Sequence, residues 1–224
     1  MKNEYIKITN LTKTIKDNTV LSCINLTLEM GKIYGFSGKN GSGKTMLFRS
    51  ICGLIKPSEG RVIINGKDLN KDMSFPESVG VLIEYPGFLP SLTGYENLKY
   101  LADINKTIKK EDIEAVLEKV GLNKDDKRTF KKYSLGMKQR LGIAQAIMEN
   151  PELIILDEPT NALDIDGVKL VNELILDLKR QGKLILIASH DKEVLESISD
   201  EIYTIDGGKI LDHIVLKENI SNEN

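Results

Sequence analysis

Residues 133–160 read YSLGMKQRLGIAQAIMENPELIILDEPT. A polar, glycine-containing turn opens an amphipathic helix. A short apolar strand at 153–156 follows and ends in Asp157 and Glu158. A helix that feeds a wholly apolar strand is a unit of a mainly parallel α/β sheet. Ligands in open α/β sheets gather at the carboxyl ends of the strands. The two carboxylates therefore stand where a site is expected.

Working outward, further short strands are predicted at 32–36, 79–84, 183–188 and 201–205, alternating with helical patterns. The first sixty-odd residues hold segments at 5–9, 25–29 and 61–65, separated by turn signals, which predict an antiparallel edge sheet. Helical periodicity covers 96–104 and 110–120, the second ending at Gly121. This region lies between two core strands, so a helical subdomain at about 87–150 is expected as an insertion within a single domain spanning 1–224. The tail at 217–224 is polar and is expected to fray.

Composition narrows the function classes. A chain of 224 residues with 41% hydrophobic content can bury a sizeable core. Its net charge of −2 offers no basic surface for nucleic acid. The two cysteines, Cys23 and Cys52, lack metal-type spacing and read as reduced thiols. No apolar stretch follows the first lysine, so the N-terminus does not read as a signal peptide. The longest apolar runs, such as 184–188, have the length of core strands, whereas a membrane span needs roughly 20 apolar residues. Any membrane role therefore requires a separate partner.

Upstream, GKNGSGKT at 38–45 fits G-x-x-x-x-G-K-[ST] between the strand at 32–36 and a helical pattern at 46–52. The chemistry accounts for each residue type. Gly38, Gly41 and Gly43 let the backbone close around phosphate oxygens. The N–H groups of Gly43, Lys44 and Thr45 face the phosphates from a helix N-terminus. Lys44 supplies a cation at the β and γ phosphates, and the Thr45 hydroxyl is a ligand for Mg²⁺. The nucleotide-binding stretch comprises Gly38, Lys39, Asn40, Gly41, Ser42, Gly43, Lys44, Thr45 and Met46. In this company Asp157 is expected to hold Mg²⁺ and Glu158 to take the proton of the attacking water, or to orient that water.

The order of motifs carries a resemblance. GKNGSGKT at 38–45, YSLGMKQR at 133–140, LIILDEP at 153–159, NALD at 161–164 and ASH at 188–190 resemble the nucleotide-binding subunit of ABC (ATP-binding cassette) transporters, over about 6–210. The resemblance implies a P-loop NTPase (RecA-like) core with an N-terminal antiparallel β subdomain and an inserted α-helical subdomain. It implies ATP hydrolysis with Mg²⁺, a second ATPase subunit in a head-to-tail homodimer, and an integral-membrane permease as partner. The implied location is the cytoplasm, peripheral on the inner face of the bacterial cell membrane. Tyr133-Ser134-Leu135-Gly136-Met137 matches the family's LSGGQ signature. Ser134 and Gly136 keep the positions that donate to the partner's γ-phosphate. His190 matches the switch histidine that helps hold the attacking water. Asp164 resembles the aspartate linking the two nucleotide sites across the dimer. His213 has no such context and reads as a surface or edge residue beyond the last strand.

Two departures refine the reading. Glu84 stands where the family usually has a glutamine that contacts Mg²⁺ and water. A carboxylate there is a stronger metal ligand and adds negative charge near the γ-phosphate. The IEYPGF stretch around it, with YSLGMKQR, resembles the subgroup that exports bacitracin-type or lantibiotic peptides. Ile15 stands where the family stacks adenine on an aromatic ring. Losing that stacking, commonly about 1 kcal/mol, implies relaxed base selectivity and some turnover of GTP. The alternatives are an importer or lipid exporter ATPase, or a non-transport ABC ATPase acting on ribosomes or DNA. The second usually has paired cassettes, a coiled coil or zinc-binding insertions, and none is evident here.

Overall fold

A computed structural model of the chain describes residues 4–84 and 86–216; the tail at 217–224, expected to fray, lies outside them. The chain divides into two compact units. One comprises Met1–Pro76 and Leu186–Asn224, the other Glu77–Ile185.

The first unit opens with β1 (Glu4–Ile15) and β2 (Asn18–Glu29), followed by β3 (Ile33–Ser37), α1 (Lys44–Ile51), β4 (Glu59–Ile64) and β5 (Lys67–Asp68). Strands β2, β1, β4 and β5 lie in that order as an antiparallel sheet. In β2, buried Ile24, Leu26 and Leu28 alternate with exposed Asn25 and Thr27, the period-two pattern of a sheet with one wet face. Both strands are longer than the sequence predicts. Left-handed residues at Asn10 (φ 50°) and Cys23 (φ 54°) interrupt the alternation near shifts in register, which hides the remaining halves from a pattern search.

The second unit begins at β6 (Val79–Leu82) and holds α2 (Gly94–Asn105), α3 (Lys110–Lys119), α4 (Leu135–Ile147), β7 (Leu153–Asp157) and α5 (Ile165–Arg180). Strands β6 and β7 run parallel, with Val79 opposite Leu153 and Leu82 opposite Leu156. Leu153, Ile154, Ile155 and Leu156 are all completely buried, each stabilising the fold by roughly 1.5–3 kcal/mol. Helix α4 lies flush on β6. A Cβ at Gly80 would fall 1.6 Å from the carbonyl oxygen of Ala146, so only glycine permits this approach. Helix α2 starts on a capping box: Thr93 Oγ1 accepts from Glu96 N (3.2 Å), and Glu96 Oε2 accepts from Thr93 N (2.7 Å). Helix α5 was not among the predicted elements. It buries Val171, Leu174, Ile175 and Leu178, one stripe at helical spacing.

Strand β8 (Leu184–Ser189) is buried throughout; its first two residues belong to the second unit and its last four to the first. The first unit is completed by α6 (Lys192–Ile198), β9 (Glu201–Asp206) and β10 (Lys209–Val215). Strand β9 pairs parallel with β3 and antiparallel with β10. Helix α1 packs its wholly buried Leu47, Phe48 and Ile51 inward, and Phe48 meets Phe36 edge-to-face at 5.3 Å.

Two expectations need correction. The predicted strand at 79–84 stops at Leu82, because Glu84 adopts φ 59°, which extended backbone cannot hold. His213 does not lie beyond the last strand; it is part of β10, opposite Tyr203. Its Nε2 lies 2.8 Å from Glu201 Oε2 and its ring stacks on Tyr203 at 4.2 Å. Strand β10 has mostly exposed side chains, so hydrophobic alternation does not reveal it.

Candidate functional site

In the first unit the loop at 38–45 joins β3 to α1. Its glycines are forced by geometry. Gly41 and Gly43 have φ 78° and 114°. A Cβ at Gly38 would lie 2.2 Å from the backbone oxygen of Ile205. The carbonyl of Ser42 accepts from Gly208 N at 2.8 Å, which fastens the loop to the turn between β9 and β10. Gly43 caps α1, whose first N–H groups lack intrahelical acceptors by the nature of a helix end. Such an end attracts anions through both its donors and its dipole.

Two observations test whether a nucleotide's phosphates fit here. Ser42 Oγ is buried and meets no hydrogen-bond partner among the described residues. Lys44 is only 5% exposed, yet its ammonium turns back onto the carbonyl oxygens of Gly38 (2.5 Å) and Lys39 (3.2 Å). The carbonyls are neutral, so they hold the ammonium without supplying an opposing charge that an anionic ligand would have to displace. The loop thus combines a concave backbone, a buried hydroxyl and a buried cation, which is the donor set that phosphates require. Lys39 and Asn40 stand on the exposed lip of the loop, and Thr45 and Met46 lie in the first turn of α1. His190 belongs to the same unit. It is exposed and follows the end of β8, between Ser189 and Asp191. Asp191 N donates to Ser189 Oγ (3.0 Å), and the Asp191 carboxylate caps α6 through Val194 N (3.2 Å), so the backbone on both sides of His190 is fixed. Ile15 is 44% exposed and ends β1 at the hairpin.

The second unit carries the carboxylates. Asp157 is buried as the last residue of β7, just past the last position paired with β6. Glu158 follows with φ 51°, a left-handed backbone unusual for any residue with a side chain. Pro159 and a tight turn come next, with Ala162 also left-handed at φ 62°. Asp164 then caps α5, its Oδ1 accepting from Gly167 N at 2.8 Å. Its side chain therefore has a local structural task that sequence reasoning did not foresee. Glu84 is exposed beyond β6.

Ser134 caps α4, and its Oγ accepts from Met137 N at 3.2 Å. Accepting through oxygen leaves the hydroxyl proton available to donate outward. Gly136 lies in the first turn of α4, where a Cβ would come 3.0 Å from the carbonyl oxygen of Ala162. The structure thus brings Gly136, two residues after Ser134, against the turn that carries Glu158 and Asp164. Tyr133, before the cap, is nearly buried. Burial, with the charge of Asp126, pushes its phenol up and keeps it neutral.

Sequence reasoning passed over Gln139. Its Nε2 donates to the carbonyl oxygen of Glu158 at 2.9 Å. The available signal was its spacing of three residues from Gly136 on one helix, which places both on the same face.

Among the described residues no helix is long and apolar enough to cross a membrane. Comparison with known proteins gives a consistent picture. The family model described as ABC transporter matches residues 21–161. An uncharacterized ABC transporter ATP-binding protein of Bacillus subtilis, YybJ, is 48% identical over 92% of this chain and 94% of its own length. The bacitracin transport ATP-binding protein BcrA of Enterococcus faecalis is 42% identical over 96% of this chain and 71% of its own. The lantibiotic transport ATP-binding protein SrtF of Streptococcus pyogenes is 38% identical over 98% and 93%. Among solved structures, the ATP-binding cassette MJ0796, in a dimeric post-hydrolysis state bound to ADP and Pi, superposes with a TM-score of 0.87 at 25% identity, covering 95% of this chain and 99% of that one.

Proposed function

Because this chain belongs to the ABC transporter family, as an ATP-hydrolysing subunit that works with a second cassette and a membrane permease, we propose that it powers export of a peptide antibiotic of the bacitracin or lantibiotic kind. The cargo assignment is carried by similarity along nearly the whole chain to ATP-binding proteins named for bacitracin and lantibiotic transport. In this reading 1–224 acts as one ATPase domain, with the helical segment at about 87–150 serving as an insertion. The protein works in the cytoplasm, against the inner face of the membrane where the permease lies.

The site residues take the following roles. The loop from Gly38 to Met46 wraps the phosphates, and Lys44 neutralises the β and γ groups. Thr45, Asp157 and Glu84 are the residues that would hold Mg²⁺, since their hydroxyl and carboxylate oxygens are of the type the ion prefers. Bound there, the ion would supply charge neutralisation on the transferring phosphoryl group. Glu158 accepts the proton of the attacking water. His190 orients that water. Ser134 and Gly136 donate to the nucleotide of the second subunit, and Asp164 links the two sites.

The test has two arms. Glu158→Gln keeps ATP binding, accumulates a nucleotide-bound dimer and loses about 10²–10⁴-fold in turnover. Lys44→Ala weakens ATP binding itself, as read by a fluorescent ATP analogue. Unaltered turnover in the first variant, or equal affinity in the second, removes the assigned role. For cargo, co-expression with the permease should raise resistance to bacitracin or a lantibiotic, and Glu158→Gln should abolish the gain. Unchanged sensitivity to both peptide classes overturns the cargo assignment.

A further inference from the structure

Glu158 presents its carboxylate from a strained left-handed backbone, φ 51°, directly after the buried strand β7. Strain of this kind persists only where the surroundings over-determine it. Here two contacts fall on the Glu158 carbonyl oxygen. It accepts from Gln139 Nε2 at 2.9 Å and from Asn161 N at 3.2 Å. The second bond is local to the turn. The first comes from α4, the helix whose N-terminus is capped by Ser134.

Helix α4 meets this turn at two levels. Gly136 fits against the Ala162 carbonyl, with only 3.0 Å for a Cβ, and Gln139 bonds Glu158 at the other end of the turn. Arg140, the next residue, donates from Nη1 to the carbonyl oxygens of Gly121 (2.9 Å) and Val120 (3.4 Å) at the end of α3. The first turns of α4 are thus tied on one side to α3 and on the other to the Glu158 turn.

We propose that Gln139 is a positioning residue that holds the backbone of Glu158 to helix α4, so that phosphate seated at Ser134 and Gly136 is sensed at the carboxylate of the same subunit. This rests on the roles proposed above for Glu158 and for Ser134. Strand β7 holds the peptide before Glu158 and Gln139 holds the carbonyl after it, so φ and ψ are constrained together and the Cα–Cβ bond between them is aimed. Without the Gln139 donor the turn can relax toward ordinary right-handed backbone, and the carboxylate swings off line. A misplacement of about 1 Å from such a distant change lowers rate on the order of a hundredfold.

The test uses the full chain with its permease. Gln139→Leu removes the donor at similar size. Gln139→Glu keeps shape and polarity but, ionised, can only accept. Gln139→Lys keeps a donor of comparable reach. The expected result is a ten- to hundredfold fall in kcat for the Leu and Glu variants, with KM for ATP within about twofold of wild type. Cooperativity in ATP should fall toward a Hill coefficient of one, thermal unfolding should stay cooperative, and the Lys variant should recover most of the rate. A kcat within threefold of wild type for Gln139→Leu overturns the proposal. So does a parallel loss of kcat and ATP affinity that Gln139→Lys fails to recover, since that is a purely structural role. Glu158→Gln, run alongside, separates the two readings. If it still turns over, the role of Glu158 and this inference both fall. If it is dead while Gln139→Leu is active, the inference alone falls.

Discussion

The phosphate loop at 38–45 and the turn at 157–164 both take backbone through left-handed space, and they do it with different residues. The loop uses Gly41 and Gly43, at φ 78° and 114°, while the turn uses Glu158 and Ala162, at φ 51° and 62°. The difference follows from what each must present. The loop presents its backbone N–H groups to a ligand, and glycine allows that approach without strain. The turn must present a carboxylate, so a side chain has to sit where L-residues are disfavoured. Its conformation is then maintained from outside, through Gln139 on the Glu158 carbonyl and Gly136 against Ala162. One region stores its geometry in its own residues; the other borrows it from α4.

The sharpest way to break this contrast is in the loop. Gly38→Ala drives a methyl to 2.2 Å from the Ile205 oxygen, which is backbone and cannot swing away. We expect a loss of about 3 kcal/mol, at the upper end for overpacking, and a Tm lower by roughly 6–12 °C for a chain of this size. Calorimetry and ATP binding should both register it; a wild-type melt would show that the loop is not packed as described. The turn gives a smaller response. Asp164→Ala removes the cap of α5 and should cost about 1 kcal/mol, whereas Asp164→Asn keeps the cap and should cost only a few tenths. Urea denaturation separates these two. If Asp164→Asn is stable but its turnover loses cooperativity, the carboxylate also serves the second subunit. If both variants lose equal stability, the capping bond to Gly167 is not what matters.

The smallest effect should come from Ala162→Gly. Relief of left-handed strain in alanine, about 1–2 kcal/mol, is opposed by the greater freedom of glycine in the unfolded chain, about 0.4–1 kcal/mol. A net gain of about 0.8 kcal/mol, within a range of about 0–1.6 kcal/mol, is expected in a thermal melt. A clear loss would mean that the turn does not hold Ala162 under strain.

Much of the fold was legible because buried strands are short apolar runs. Segments 153–156, 183–188 and 201–205 were each found within one residue of β7, β8 and β9. The missed strands share a physical cause. Strand β10 has mostly exposed side chains, β5 is two residues long, and the outer halves of β1 and β2 are polar and bulged. None of these carries the apolar alternation on which a sequence reading depends. Helix α5 does carry a helical stripe, at Val171, Leu174, Ile175 and Leu178, and was simply passed over. His213 was misplaced for the same reason as β10, since its partners Glu201 and Tyr203 are twelve and ten residues earlier in the chain and meet it only across paired strands.

By itself the sequence determined the chemistry. A glycine-rich loop ending in Lys44 and Thr45, and a carboxylate pair after an apolar strand, are local patterns whose spacing encodes their geometry directly. Only the tertiary structure decided how those groups are held. That Lys44 is buried against two carbonyls, that Ser42 keeps an uncommitted hydroxyl and that Asp164 caps a helix depend on how each loop is folded, and that Gln139 reaches Glu158 across nineteen positions depends on packing between separate elements. Spacing along a chain specifies what one turn or strand can present; the support for a strained residue comes from neighbours that only packing brings within hydrogen-bonding reach.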